Sequence, residues 1–187
     1  MRYRSLIAGA ALVALSLPTL AAEVGGVKLP DGTSVGGKEL VLNGAGVRTR
    51  VMFKVYVAAL YLPAKAADLS AALAQTPRRV QLTLLRNVGA DDLVDALVEG
   101  MNANNPAATM AAVRPQTDQL VTVMKSIGEA KTGDVVTLDF VEGGTRVGHN
   151  GKELGAIAGV PFNEALMKIW LGDKPVQADL KKAILGG

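Results

Sequence analysis

Four side chains within GAGVRTRVMFKVYVAALYLP, Gly44 to Pro63, carry most of the chemistry in this chain: Arg48, Arg50, Lys54 and Tyr56. A guanidinium grips a carboxylate or phosphate through two parallel hydrogen bonds, and a phenol supplies a further donor. Read as one strand without a bulge, residues 47 to 62 alternate between two faces. One face holds Val47, Thr49, Val51, Phe53, Val55, Val57, Ala59 and Tyr61, an apolar packing surface. The other holds Arg48, Arg50, Met52, Lys54, Tyr56, Ala58, Leu60 and Leu62, which grades from cationic to apolar along its length. Such a gradient suits an amphipathic anion, with its head at the guanidinium end and its body along alanine and leucine. The competing reading is that cations on an exposed edge strand prevent edge-to-edge pairing, and a hairpin or bulge inside the stretch would reassign the faces.

Other reaction chemistry is sparse. Zero cysteines exclude disulfides, thiolate metal sites and a thiol nucleophile. No G-x-S-x-G elbow, glycine-rich phosphate loop or histidine pair occurs, so no metal, cofactor or catalytic residue is expected. Gly44-x-Gly46 precedes a strand rather than a helix, and so lacks the helix dipole that a nucleotide phosphate uses. His149, the single histidine, stands one residue before Asn150-Gly151 and reads as an exposed turn residue. Asp91 and Asp92 are neighbours that cannot face each other on a helix, and they suit the positive end of a helix dipole better than acid–base work. Trp170, within EALMKIWLG, reads as a core anchor before it reads as a ligand platform.

Arg2 and Arg4, the apolar run from Ser5 to Leu17 and the small residues up to Ala22 follow the order of a secretory signal peptide cleaved near Ala21 or Ala22. The chain from residue 23 to 187 is then expected to be a single domain, exported to the periplasm and without a stable membrane anchor. Losing those two arginines lowers the formal charge of +3 to about +1, too little basic surface to expect a nucleic-acid partner.

The elements that must hold the cationic stretch alternate between strand and helix periods. Glycine, valine and Pro30-Asp31-Gly32 predict short antiparallel strands before it, and Arg78 to Arg86 alternates with Val80, Leu82 and Leu84 on one face. A short helix is expected over residues 66–75, and longer ones from Asp91 and from Pro115 to Ile127. Asp134 to Ile157 reads as hairpins turned at Gly143-Gly144 and Asn150-Gly151. Two helices, 163–171 and 177–185, close the chain. This interleaving is an α+β pattern built on antiparallel pairing.

G-A-G-V-R followed by F-K-V-Y-V-A-A-L-Y-L resembles the chalcone isomerase-like family in its exported bacterial branch. TLDFVEGGTRVGHNGKELG resembles the hairpins of that family, and ALMKIWLGDKPVQADLKKAIL its closing helix pair. The order matches from about residue 24 to the end. The resemblance implies an open-faced β-sandwich, an antiparallel sheet covered on one face by helices. It also implies that Arg48, the arginine of G-x-G-x-R, lies in the cleft. Tyr56 stands where the isomerases carry threonine and the fatty-acid-binding relatives carry a tyrosine that joins the arginine around a carboxylate. The enzymes' helical tyrosine and asparagine fall within 91–102, where there is no tyrosine and Glu99 or a neighbour takes the asparagine position. Ile169 or a neighbour replaces a polar residue of the closing helix.

Three functions are therefore expected in this order. The first is non-catalytic binding of a fatty acid or similar amphipathic carboxylate by Arg48 and Tyr56. The second is isomerisation of a small phenolic or acyl compound with Arg48 stabilising an oxyanion. The third is docking of a protein partner on an exposed stripe of Arg48, Arg50 and Lys54.

Overall fold

The computed structural model describes residues 22–187. The expected leader lies outside the described residues. Alternation, glycine-marked turns and amphipathic runs generate the elements in this order: strands β1 (Ala22–Val24), β2 (Val27–Leu29), β3 (Gly32–Val35), β4 (Lys38–Arg50) and β5 (Phe53–Leu62), then helix α1 (Leu69–Leu73) and strand β6 (Arg78–Leu84). Next come β7 (Val88–Gly89), helices α2 (Ala90–Asn104), α3 (Ala107–Ala112) and α4 (Arg114–Lys125), and β8 (Glu129–Ala130). Strands β9 (Val135–Val141), β10 (Gly144–His149) and β11 (Lys152–Ala158) lead to helices α5 (Val160–Leu171) and α6 (Ala178–Ile184).

Seven strands form one antiparallel sheet in the order β11-β10-β9-β6-β5-β4-β3. The helices cover one face. Leu82, Leu84, Val136 and Leu138 from the sheet meet Leu93, Leu97, Met124, Leu166 and Trp170 from the helices in the main core. On the opposite face the β1–β2 hairpin covers a smaller core around Leu29, Leu40, Val57 and Tyr61. The expected α+β architecture, an antiparallel sheet with helices on one face, is the one found.

The long strand of the sequence reading is replaced by a hairpin. Arg50 pairs with Phe53, so Val51 and Met52 form a two-residue loop, and Arg48 stands directly opposite Tyr56. Along a single strand those two residues would sit about 26 Å apart; across a hairpin their Cβ atoms are about 5 Å apart. Opposite residues of an antiparallel pair share a face, so Arg48 and Tyr56 still point the same way. Arg50 and Lys54, expected as edge or rim charges, stand at the base of the loop. The turn was hidden because its residues are valine and methionine, whereas a two-residue loop with a positive φ at its first position normally uses glycine there. Val51 has φ +58°, in the left-handed region that a β-branched side chain disfavours. At the hairpin between β10 and β11 Asn150 and Gly151 both take positive φ, as their types require.

Two smaller expectations are also corrected. The helix expected over 66–75 spans only Leu69–Leu73, started by Asp68, whose carboxylate accepts from Ala71 N–H at 2.8 Å. His149 is not an exposed turn side chain. Its ring Nε2 lies 3.0 Å from Asp134 Oδ2, and Asn150 Nδ2 donates to the other oxygen at 2.9 Å. Those bonds, that of Asn150 first and then the Lys131 amide, hold the Asp134 carboxyl down at about 2.

Replacing Val51 by glycine removes the left-handed strain without touching the core. Val51→Gly is expected to raise unfolding stability by about 1 kcal/mol, or the melting temperature by about 3 °C, measured by thermal denaturation.

Candidate ligand cleft

Gly44 and Gly46 set the position of everything around the cleft. A Cβ on Gly44 would lie 2.6 Å from the Ile184 carbonyl oxygen, and one on Gly46 would lie 2.9 Å from Ala183 Cβ. Helix α6 therefore lies directly on β4, at a distance that only glycine permits. Strand β4 needs such a cover, because β3 pairs with it only as far as Val41. Beyond that residue its outer edge has no neighbouring strand among the described residues. Asn43 fixes the near end by bulging out of the ladder and bonding Ala66 in both directions and the Ile184 carbonyl.

Gln177, immediately before α6, closes the far end. Its side-chain amide does what a neighbouring strand would do: Nε2 donates to the Val47 carbonyl at 3.3 Å and Oε1 accepts from Thr49 N–H at 2.9 Å. The same oxygen receives Arg48 Nη1 at 3.4 Å, and Nη1 also donates to the Thr49 carbonyl at 2.6 Å. The stem of Arg48 is thereby held, while among the described residues no backbone or carboxylate acceptor meets its Nε and Nη2 hydrogens; the polar group beside the guanidinium is the Tyr56 hydroxyl. No carboxylate pairs with Arg48 among the described residues either.

Tyr56 is oriented from the helical side. Trp170, fully buried in α5, donates its indole N–H to the Tyr56 hydroxyl at 3.2 Å. That bond uses the oxygen as acceptor and leaves the phenolic hydrogen free to donate. Burial raises the Tyr56 pKa above its ordinary value, against smaller opposing effects of the Trp170 bond and then of Arg48, so the phenol stays protonated at neutral pH.

Arg48, Tyr56 and Leu84 form a row across three neighbouring strands, because Tyr56 pairs with Arg48 on one side and Leu84 on the other. The expected gradient from cationic to apolar exists, but it runs across the strands rather than along one. This row floors a cavity of about 350 Å³. Leu82 and Val136 extend the floor; Leu93, Leu97, Gly100 and Ala103 of α2 and Ile169 of α5 form the roof. Gly100 lets the roof close, since a Cβ there would lie 3.0 Å from Ile169 Cγ2. Arg50, Asp92, Glu99 and Lys174 border the opening, and all four are exposed. Among the described residues no group of three or more His, Asp or Glu side chains converges to hold a metal.

Sequence reasoning placed Arg48 and Tyr56 correctly on one face and missed the two residues that position them. Trp170 is the core anchor its sequence context implies, and its indole N–H also sets the phenol. Gln177 carried no signal beyond lying between a proline and a helix. Glu99 and Ile169 both line the cavity. An exposed basic stripe that includes Arg48 does not exist, because Arg48 is half-buried in the cavity wall.

The fold and cleft define a class of protein, an antiparallel sheet whose helix-covered face encloses a cavity beside a strand-borne arginine. The chain belongs to the chalcone isomerase-like family, whose sequence profile matches residues 21–186. It is similar in structure to a fatty-acid binding protein of Arabidopsis thaliana, with a TM-score of 0.64, 12% sequence identity, and coverage of 86% of this chain and 92% of that one. No curated protein matches the sequence.

Two outcomes follow from this geometry. Gln177→Ala opens the β4 edge and is expected to lower unfolding stability by about 1–3 kcal/mol in denaturant titration, since two backbone groups lose their partner. Tyr61, whose pKa burial pushes up to about 12, and Tyr56, raised likewise, hold their protons more tightly folded than unfolded. Their stabilising effect is intact below the ordinary phenol value of about 10 and is lost as pH rises through the folded values. Stability measured against pH should therefore decline from about pH 10 upward, and less steeply in Tyr56→Phe.

Proposed function

We propose that this protein is an exported, periplasmic, non-catalytic binding protein that holds a fatty acid or similar amphipathic carboxylate. The observation that carries the reading is a pair of donors with hydrogens to spare, Arg48 through Nε and Nη2 and Tyr56 through its O–H, on adjacent strands beside a cavity whose interior is lined mainly by apolar side chains. A carboxylate accepts from both: Arg48 presents Nε and Nη2, two parallel hydrogens, and Tyr56 presents its single O–H. The alkyl body then lies along Leu84, Leu82 and Val136 under α2. The similarity to a protein described as binding fatty acids supports this reading, and the leader-like first residues support export.

The isomerase reading is less well supported by the residues that surround the cavity. An enolate or phenolate needs oriented donors on more than one wall. The interior walls opposite Arg48 and Tyr56 present Leu93, Leu97, Gly100 and Ile169, none of which donates a hydrogen bond from its side chain, and the one further donor on that side, Lys174, stands exposed at the opening.

Native mass spectrometry of the purified protein, compared with the same sample under denaturing conditions, should reveal a co-purifying amphipathic acid. Arg48→Ala should weaken its retention at least about thirtyfold, because a charged hydrogen-bonded partner is removed from a partly enclosed site. Gln177→Glu, which places a competing carboxylate beside Arg48, should also cut retention. Equal lipid content in wild type and Arg48→Ala would refute the proposal.

A further inference from the structure

Val51 is 89% exposed, Met52 83% and Phe53 57%. These three consecutive residues form the tip of the β4–β5 hairpin. The other large exposed apolar residues among the described residues, Val41 at 42% and Val160 at 54%, are single and stand elsewhere. The tip also projects, since β6 pairs with β5 only from Tyr56 onward and β3 leaves β4 at Val41. Three exposed cations surround its base: Arg50, Lys54 and Arg86, with the Arg86 guanidinium 4.7 Å above the Phe53 ring. None of the three forms an ion pair among the described residues. One carboxylate, Asp92, lies with Arg50, Phe53 and Arg86 around the concavity at the foot of the hairpin.

We propose that this hairpin tip docks the protein on an anionic lipid bilayer surface, with Val51, Met52 and Phe53 entering the headgroup–acyl boundary and Arg50, Lys54 and Arg86 meeting lipid phosphates. Apolar side chains ringed by unpaired cations are complementary to such a surface in both respects: burial drives insertion, and each cation near an anionic leaflet strengthens binding about fivefold. A second copy of the chain is a poorer occupant. A two-fold contact through this patch would set the same cations against each other. The left-handed φ of Val51 fits the same role, since glycine or asparagine would turn this loop with less strain but would place no apolar side chain at its first position.

Arg50, Val55, Val88 and Asp92 border both the concavity at the hairpin foot and the main cavity. Docking through the tip therefore turns the opening of the main cavity toward the bilayer. The docking surface is separate from the cavity interior, and its test reads vesicle binding rather than cavity occupancy.

The test is co-sedimentation of the purified protein with vesicles, each sample being checked by intact mass for loss of the leader. Vesicles of phosphatidylcholine alone are compared with vesicles in which a quarter of the lipid is phosphatidylglycerol. Wild type should bind the anionic vesicles at least about tenfold more strongly, and added salt should weaken the binding as screening shortens the Debye length. Met52→Asp should lower binding about tenfold or more by placing a charge in the inserting tip, and the combined Arg50→Glu, Lys54→Glu variant should abolish the preference for anionic lipid. Val160→Asp, at an exposed apolar residue away from the tip, should bind like wild type. The proposal is overturned by absence of binding to anionic vesicles, or by equal binding of wild type and Met52→Asp. It is equally overturned if sedimentation velocity shows a dimer that Met52→Asp dissolves, which would make a second copy the occupant of the tip.

Discussion

Contact between β4 and α6 at Gly44 and Gly46 is the constraint on which the cleft depends. A methyl group at either glycine would push α6 off the sheet. With α6 displaced, Gln177 could not reach Val47 and Thr49, the outer edge of β4 would lose its cover, and Arg48 would lose the oxygen that steadies it. The G-x-G-x-R pattern thus has a mechanical meaning. Its glycines admit the helix that fixes the arginine two residues later. An edge strand is here protected by a side-chain amide and a helix instead of by outward-pointing charge.

A second constraint acts from the other side of the cavity. Trp170 is buried among aliphatic side chains, where its indole N–H must find an acceptor. The phenol oxygen of Tyr56 is that acceptor, and meeting this need leaves the phenolic hydrogen directed elsewhere. Core packing and site polarity are therefore linked through one bond: the residue that fills the core beneath the helices also determines which way a cavity donor can act.

Much of the architecture was legible in the chain. The alternation of Val80, Leu82 and Leu84, the Asn150-Gly151 turn and the helix expected from Pro115 each correspond to a single local structure, and each is present, the helix as Arg114–Lys125. The hairpin at Val51-Met52 was not legible, because its loop residues have strand propensity and the ordinary turn markers are missing. The consequence reached the site. Arg48 and Tyr56 were assigned to one face through even spacing, and they share it because they are opposed across a turn. Gln177 was illegible for another reason: its partners lie about 130 residues earlier, and nothing local distinguishes an amide that caps a strand from one in solvent.

Strands β6 and β9 lie side by side near the middle of the sheet, yet about fifty residues separate the end of one from the start of the other. Those residues are the three-helix insertion that roofs the cavity. The pairs β4–β5 and β9–β10–β11 are joined by short turns and can form locally, whereas the seam between β6 and β9 closes only when the insertion has folded back over it. Pairing β6 with β9 therefore closes a loop of about fifty residues, and it brings α2, the part of that loop that roofs the cavity, over the sheet. A chain without cysteines offsets the entropy of that closure by packing alone, so the helical roof that shields the cavity also helps hold the two halves of the sheet together.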